Sequence, residues 1–258
     1  MSKSSLSHHC SVSPDTAASL ARSYHVLQNK PVLMKLLEDA IGIDVKDWSK
    51  VAMHKAINDI ILSKYEGEAR IKSMLVDHFK AENVVAAFEI KTPSSRLDFL
   101  RVNGHTISYE IKSEVDSLQK LDKQIKDYSR LFDYNYVVID RKHLEKVMEI
   151  IPKHYGIYVS GRNKMVREKP ASNCNELNGE LQLLLFTKKE LRKFFDGCTD
   201  REEIIQHQTA SGINDTFKEM LKARYRKRWH FLREPQENIF PVDYQYFFYH
   251  NLEPEVVY

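Results

Sequence analysis

Residues 86–118 read AAFEIKTPSSRLDFLRVNGHTISYEIKSEVDSL, and this stretch decides the fold. Its apolar residues recur with a period near two: AAFEI, RLDFLRV and HTISYEI are short runs rich in β-branched and aromatic residues, punctuated by Pro93-Ser94-Ser95 and Asn103-Gly104. The pattern predicts three consecutive strands joined by turns. Glu-Ile-Lys occurs in it twice, at 89–91 and at 110–112, and these are the only two Glu-x-Lys triplets in the chain.

Alternation along the third strand sends Ile107, Tyr109 and Ile111 to one face and Ser108, Glu110 and Lys112 to the other, so Glu110 and Lys112 share a face about 7 Å apart. One strand earlier, Asp98 interrupts the apolar run LDFL, an unfavourable place for a carboxylate unless something pairs with it. Two carboxylates converging on one point, with a lysine close by, can hold Mg²⁺ or Mn²⁺ at a phosphodiester, activate a water and offset developing negative charge. The hairpin register sets a condition. A two-residue Asn103-Gly104 turn pairs Asp98 with Tyr109 and sends it to the wrong face. A three-residue loop ending in a left-handed Gly104 pairs Asp98 with Ser108 and brings the carboxylates together. The catalytic reading requires that loop or a bulge. The first triplet fits worse, because no acidic strand residue precedes Glu89 by the length of a hairpin and Lys91 runs directly into Thr92-Pro93. Glu89 reads as the edge of a first strand, leaning at most toward the metal or the residues around it.

The flanks are helical. VLMKLLEDAI after Pro31, VAMHKAINDIIL and IKSMLVDHF place apolar residues three and four apart, with Gly67 separating the last two helices. Asp116 and Gln119 form a capping box for a helix over about 117–132, and NYVVID is a continuously apolar strand of the kind buried on both faces. A helix over 142–151, a hairpin over 156–169 and helices near 177–186, 188–196, 200–208 and 214–233 follow. The chain thus divides into a loose tail (1–15), a helical segment (16–65), a core (66–170) and a helical extension (171–258). Within the extension, KARYRKRWHFLRE (222–234) carries six Lys or Arg with aromatics interleaved. Its Lys222, Arg224, Arg226, Lys227 and Arg228 suit phosphate contacts. The aromatic, acidic end DYQYFFYHNLEPEVVY is expected to dock on its own domain.

With 258 residues, 42% of them hydrophobic, the chain is long enough for a substantial core. Its net charge of +3 decides little, because polyanion binding depends on where the charge sits. Cys10, Cys174 and Cys198 lie too far apart in sequence for a disulfide framework or a zinc site, and His8-His9-Cys10 reads as tail. No apolar run approaches the roughly 20 residues of a membrane span or forms a signal peptide, so a cytoplasmic location is expected.

The order helix with Glu68, strand, Asp98, Glu110-Ile111-Lys112, helix, buried strand resembles the αβββαβ core of the PD-(D/E)XK nuclease superfamily over about residues 66–140. Gln124 and Tyr128 resemble the Q-x-x-x-Y element of its RecB-like branch. RLDFLRVNG, YEIKSEVDSLQKL, IPKHYGIYV and LQLLLFTKKEL are similar to a little-characterised group of bacterial PD-(D/E)XK-like proteins, to about residue 196. The resemblance implies an α/β, restriction-endonuclease-like core with a mixed sheet. It implies Asp98, Glu110 and the Ile111 carbonyl as metal ligands, with Glu68 favoured over Glu66 as a third acid. It makes Lys112 the group that orients water, with Gln124 and Tyr128 beside it. A Mg²⁺- or Mn²⁺-dependent nuclease acting on DNA follows, serving in DNA repair or defence against phage, with a partner protein or as a homo-oligomer and away from membranes. Leu97 stands where the superfamily usually has proline. The alternative is a nuclease-like fold that no longer cuts and serves as a nucleic-acid- or protein-binding subunit of a larger complex. The intact Asp98, Glu110 and Lys112 argue against it.

Overall fold

A computed structural model describes residues 12–161, 164–233, 239–250 and 252–258. Helices α1 (Pro14–Ser23), α2 (Lys30–Ile41) and α3 (Lys50–Lys64) each start after a residue, Ser13, Asn29 or Ser49, whose side-chain oxygen accepts the N–H three positions on. The first two carry proline in the first turn, where no helical N–H is lost. α4 (Glu68–Phe79) follows, then β1 (Val85–Lys91), β2 (Arg96–Asn103), β3 (His105–Lys112), α5 (Leu121–Ser129), β4 (Tyr134–Asp140), α6 (Leu144–Ile150), β5 (Gly156–Ser160) and β6 (Met165–Lys169). The chain continues through α7 (Gly179–Leu184), α8 (Lys188–Phe194), α9 (Arg201–His207), α10 (Ala210–Arg233), α11 (Tyr244–His250) and α12 (Pro254–Val257). Among the described residues, no helix is long and apolar enough to cross a membrane.

Two expectations shift at the element ends. α1 already begins at Pro14, inside the stretch read as tail, while His8-His9-Cys10 lies outside the described residues. α5 begins at Leu121 with no side-chain cap, because Asp116 is used locally: its Oδ2 accepts from the Ser113 N–H at 2.8 Å and the Ser113 hydroxyl at 2.5 Å. Short polar side chains often prefer such turn bonds to a helix start.

The chain forms two compact units, one from residues up to Val76 together with those from Glu234 onward, the other from Asp77–Arg233. This redraws the expected extension. α7 to α10 belong with the sheet, and only the last segment belongs with the first helices.

In the first unit, Leu33, Leu37, Met53, Ile57 and Ile60 form an apolar core with almost no exposure. Beside it lies a polar knot. Asp243, buried to 3% exposure, accepts from the Tyr24 hydroxyl (3.0 Å), the Tyr258 hydroxyl (2.8 Å) and Asn58 Nδ2 (3.3 Å). Since the Tyr24 proton goes to Asp243, the His54 Nδ1–H donates to the Tyr24 oxygen at 2.6 Å. Asn58 also accepts the Val242 N–H at 2.8 Å. These bonds fasten the C-terminal segment to α3.

The knot holds two titratable groups that pull in opposite directions. Burial lifts the Asp243 carboxyl from 3.8 to about 6, against the lowering effect of its hydrogen bonds. Burial, then the Lys50 charge, brings His54 from 6.5 down to about 4. The raised Asp243 contributes stability that is complete below its unfolded pKa and is lost as pH rises through about 6. The depressed His54 contributes stability present above 6.5 and lost as pH falls through about 4. In the wild type the slopes offset each other. His54→Gln should therefore unmask a melting temperature that falls as pH rises across this window, and Asp243→Asn one that rises. Thermal melts at several pH values check the signs, and parallel curves for the two variants would remove the linkage.

In the second unit the six strands form one mixed sheet in the order β1-β2-β3-β4-β5-β6. The first three are mutually antiparallel, β3, β4 and β5 run parallel, and β6 is antiparallel to β5. β4, the YNYVVID run, is central and flanked by parallel neighbours, as its continuous apolar character predicts. The sheet has helices on both faces. Leu121 and Ile125 of α5 pack with Val137, Ile139, Val147 and Ile157 on one. On the other, Trp229 of α10 meets Phe99, and Tyr109 stacks on Tyr136 with ring centroids 5.6 Å apart.

Candidate metal centre

The β2–β3 register runs from Asn103↔His105, around a left-handed Gly104, to Phe99↔Tyr109. Carried one residue further, it sets Asp98 across from Glu110. The required shared face is met, but by a register that places Asp98 opposite Glu110 rather than Ser108, because Gly104 alone makes the turn.

Just where that ladder stops, Asp98 Oδ2 accepts the Ile111 N–H at 2.6 Å. This accounts for a carboxylate inside an apolar run: the side chain takes the place of a backbone acceptor. The N–H and C=O of an extended residue leave the strand on the same side, so the Ile111 carbonyl faces β2 as well.

Glu110 is 2% exposed and its two oxygens are occupied from two elements. Oε1 accepts from Lys112 Nζ at 2.6 Å and from the Gln124 amide, and Oε2 accepts from the Tyr128 hydroxyl at 3.0 Å. Gln124 and Tyr128 stand four apart on α5, so one helix face delivers both. The same hydroxyl lies 2.9 Å from the Arg96 carbonyl. Burial, then the charges of Glu110 and Asp98, pushes the Tyr128 phenol far above its ordinary value, and it stays a proton donor. A buried carboxylate tolerates so little solvent only when cation and donors surround it, which is the case here. Gln124 Oε1 is buried with no hydrogen-bond partner among the described residues, an acceptor that a water at the centre would satisfy.

The structure adds Glu89 to this group more firmly than the sequence did. The β1–β2 pairing passes from Phe88↔Phe99 to Ile90↔Leu97, leaving out Glu89 and Asp98, and Glu89 takes a left-handed φ of 52°. For a side chain of this size that conformation costs about 1–2 kcal/mol. Carboxylate oxygens of Glu89 and Asp98 come within 4.8 Å of each other, and Arg96 Nη1 lies 3.6 Å from Glu89. The signal was present in the turn: a hairpin closing at Lys91↔Arg96 puts Glu89 across from Asp98. Lys91 itself is exposed, whereas Lys112 is 8% exposed. Glu68 and Glu66 belong to the first unit, where Glu68 pairs with Lys72 at 2.6 Å and Glu66 with Arg70. β1 and β2 bring the Glu89 and Asp98 carboxylates together, and carboxylate and carbonyl oxygens are a hard set that would suit Mg²⁺ or Mn²⁺ better than softer metals.

The basic helix is less free than its sequence suggests. Arg224 makes a two-pronged pair with Glu190, at 2.6 and 2.7 Å, donates to the Leu185 carbonyl at 2.9 Å, and lies over the Phe186 ring. Burial works against the Glu190 charge, but bonds from Arg224 and Thr187 bring its carboxyl down to about 2. Arg224 therefore locks α10 onto α8 and is withdrawn from the phosphate contacts. Lys222 pairs with Glu219 one turn back, Arg226 and Lys227 are exposed, and Arg228 is half-buried.

Comparison with known proteins gives three matches. The family model described as Bacteriophage P4 protein cII matches residues 62–247. Protein cII of Enterobacteria phage P4 is 29% identical over 139 residues, covering 52% of this chain and 51% of that protein. The chain thus spans about half the length of the curated relative it matches. A solved protein of unknown function from Silicibacter pomeroyi is 15% identical with a TM-score of 0.38, covering 64% of this chain and 89% of that one. A likeness that low carries no argument.

Proposed function

The chain belongs to the bacteriophage P4 protein cII family, and we propose that this member is a Mg²⁺- or Mn²⁺-dependent nuclease that hydrolyses DNA phosphodiester bonds on a restriction-endonuclease-like core. The observation that carries the reading is Lys112 Nζ 2.6 Å from Glu110, with Asp98 one step past the end of the β2–β3 ladder and its Oδ2 accepting the Ile111 N–H at 2.6 Å. The strand–turn–strand arrangement in β1 to β3, followed by α5 and a parallel β4, supports the core.

Asp98, Glu110 and the Ile111 carbonyl would hold the metal, with Glu89 alongside. A bound Mg²⁺ or Mn²⁺ would polarise the scissile phosphate and lower the pKa of its water. The remaining work falls to side chains. Lys112 directs water and offsets negative charge as the phosphorus gains its fifth oxygen. Tyr128 and Gln124 donate to the two Glu110 oxygens and hold the carboxyl group in one orientation. The Ile111 N–H fixes the Asp98 carboxylate, so the side chain is held in one orientation before binding.

Incubating the purified protein with supercoiled plasmid tests the reading. Nicked or linear DNA is expected with Mg²⁺ or Mn²⁺ and none with EDTA. Folded protein that leaves the plasmid supercoiled under all these conditions would overturn the reading in favour of a binding subunit that no longer cuts.

A further inference from the structure

We propose that a basic groove on the other face of the sheet, remote from the metal centre, binds single-stranded nucleic acid through its phosphates without any metal. The groove, of about 780 Å³, runs between α10 and the end of the β1–β2 pair nearest Gly104. Lys222, Arg226, Lys227, His230 and Arg233 line it, and among the described residues no carboxylate does. Its location follows from the fold. Trp229 meets Phe99, so α10 covers the face opposite to the Asp98 side chain. Asn103 lies five residues along β2 from Asp98, about 17 Å.

The shape of the charge selects the ligand. Lys222, Arg226, His230 and Arg233 follow one another at three- or four-residue spacing, which makes a row of basic side chains about 16 Å long on one helix face, in which Lys222 also pairs with Glu219 and Arg233 Nε donates to the Lys80 carbonyl. A row of that length matches several consecutive phosphates, whereas a mononucleotide needs a single focus. The floor is apolar, made by Val84, Val85 and Val102. A duplex is a stiff cylinder that meets such a groove at few phosphates, while a flexible single strand can follow the cations along its length. Trp229 lines the groove at 1% exposure, and its indole N–H has no hydrogen-bond partner among the described residues. A buried donor without an acceptor is costly. None of this depends on the nuclease reading.

The test is fluorescence anisotropy with the full chain in EDTA, using labelled twelve-residue oligothymidylate (about four contacts' length or more), the same strand in duplex, and oligouridylate. Tight binding of either single strand is expected, and the tighter of the two names the natural source. Arg226→Glu with Lys227→Glu should weaken it at least ten-fold and flatten the log–log salt slope by about 1.4, or roughly 0.7 for each lost contact. In a Trp48→Phe variant, where Trp229 is the remaining tryptophan, bound strand should shift the emission. Unchanged affinity in the double variant, a preference for duplex, full competition by thymidine monophosphate at equal nucleotide concentration, or an unshifted Trp229 under saturating strand would each overturn the proposal. A protein that binds the strand but never cuts DNA supports the groove and rejects the nuclease. One that cuts but fails to bind in EDTA does the reverse.

Discussion

Asp98→Asn is expected to abolish plasmid cleavage and divalent-metal binding while the protein stays folded. The asparagine side chain keeps an oxygen where Asp98 Oδ2 accepts the Ile111 N–H at 2.6 Å, so the local bond survives the change. The negative charge is what disappears. With Glu89 and Asp98 carboxylate oxygens within 4.8 Å, two like charges are held together, an arrangement that destabilises the metal-free protein. Removing one should leave the melting temperature unchanged or raise it, as is common where function holds a group in an unfavourable place. Gel assays of plasmid, calorimetric titration with Mn²⁺ and thermal melts measure the three quantities. A large fall in melting temperature would make Asp98 a structural group, and the nuclease reading would lose the residue on which it most depends.

What could be read in the chain, and what could not, follows from the range of each interaction. Strands and helices answer to local period, and the alternation in 96–112 and the continuous apolar run of β4 led to the sheet as it stands. Gln124 and Tyr128 were legible as a pair for the same reason, since four residues on a helix fix a shared face. The hairpin register was not, because loops of different length all suit Asn103-Gly104 and only packing chooses between them. Glu89 was hard to place because its left-handed backbone falls where the β1–β2 pairing passes it over, which its own neighbours do not signal. Charge clustering in 222–234 misled at Arg224 because its partner, Glu190, lies 34 residues away. The division into units escaped notice for a similar reason. The bond between Asn58 and Asp243 spans 185 residues, and nothing local in the aromatic C-terminal segment announces it.

The two Glu-Ile-Lys triplets offer a comparison in which sequence is held constant and environment varies. Lys112→Ala should slow cleavage on the order of 10²-fold or more, the size of effect seen when a donor that stabilises transition-state charge is lost. Lys91→Ala should leave the rate unchanged. The two lysines differ in surroundings: Lys112 is 8% exposed with its ammonium 2.6 Å from Glu110, while Lys91 stands exposed where β1 ends before Thr92-Pro93. The alanine variant carries a complication, since it leaves Glu110 buried without its cation, and breaking such a pair can cost about 3–5 kcal/mol of stability. Lys112→Gln therefore belongs in the set, because it keeps a hydrogen-bond donor for Glu110 and removes only the charge. If slow cleavage in both Lys112 variants accompanies a melting temperature close to wild type in the glutamine variant, the loss is chemical rather than structural. An inactive Lys91→Ala beside an active Lys112→Ala would transfer the catalytic role to the first triplet and to Glu89. Wild-type rates in all three variants would leave neither triplet a part in cleavage.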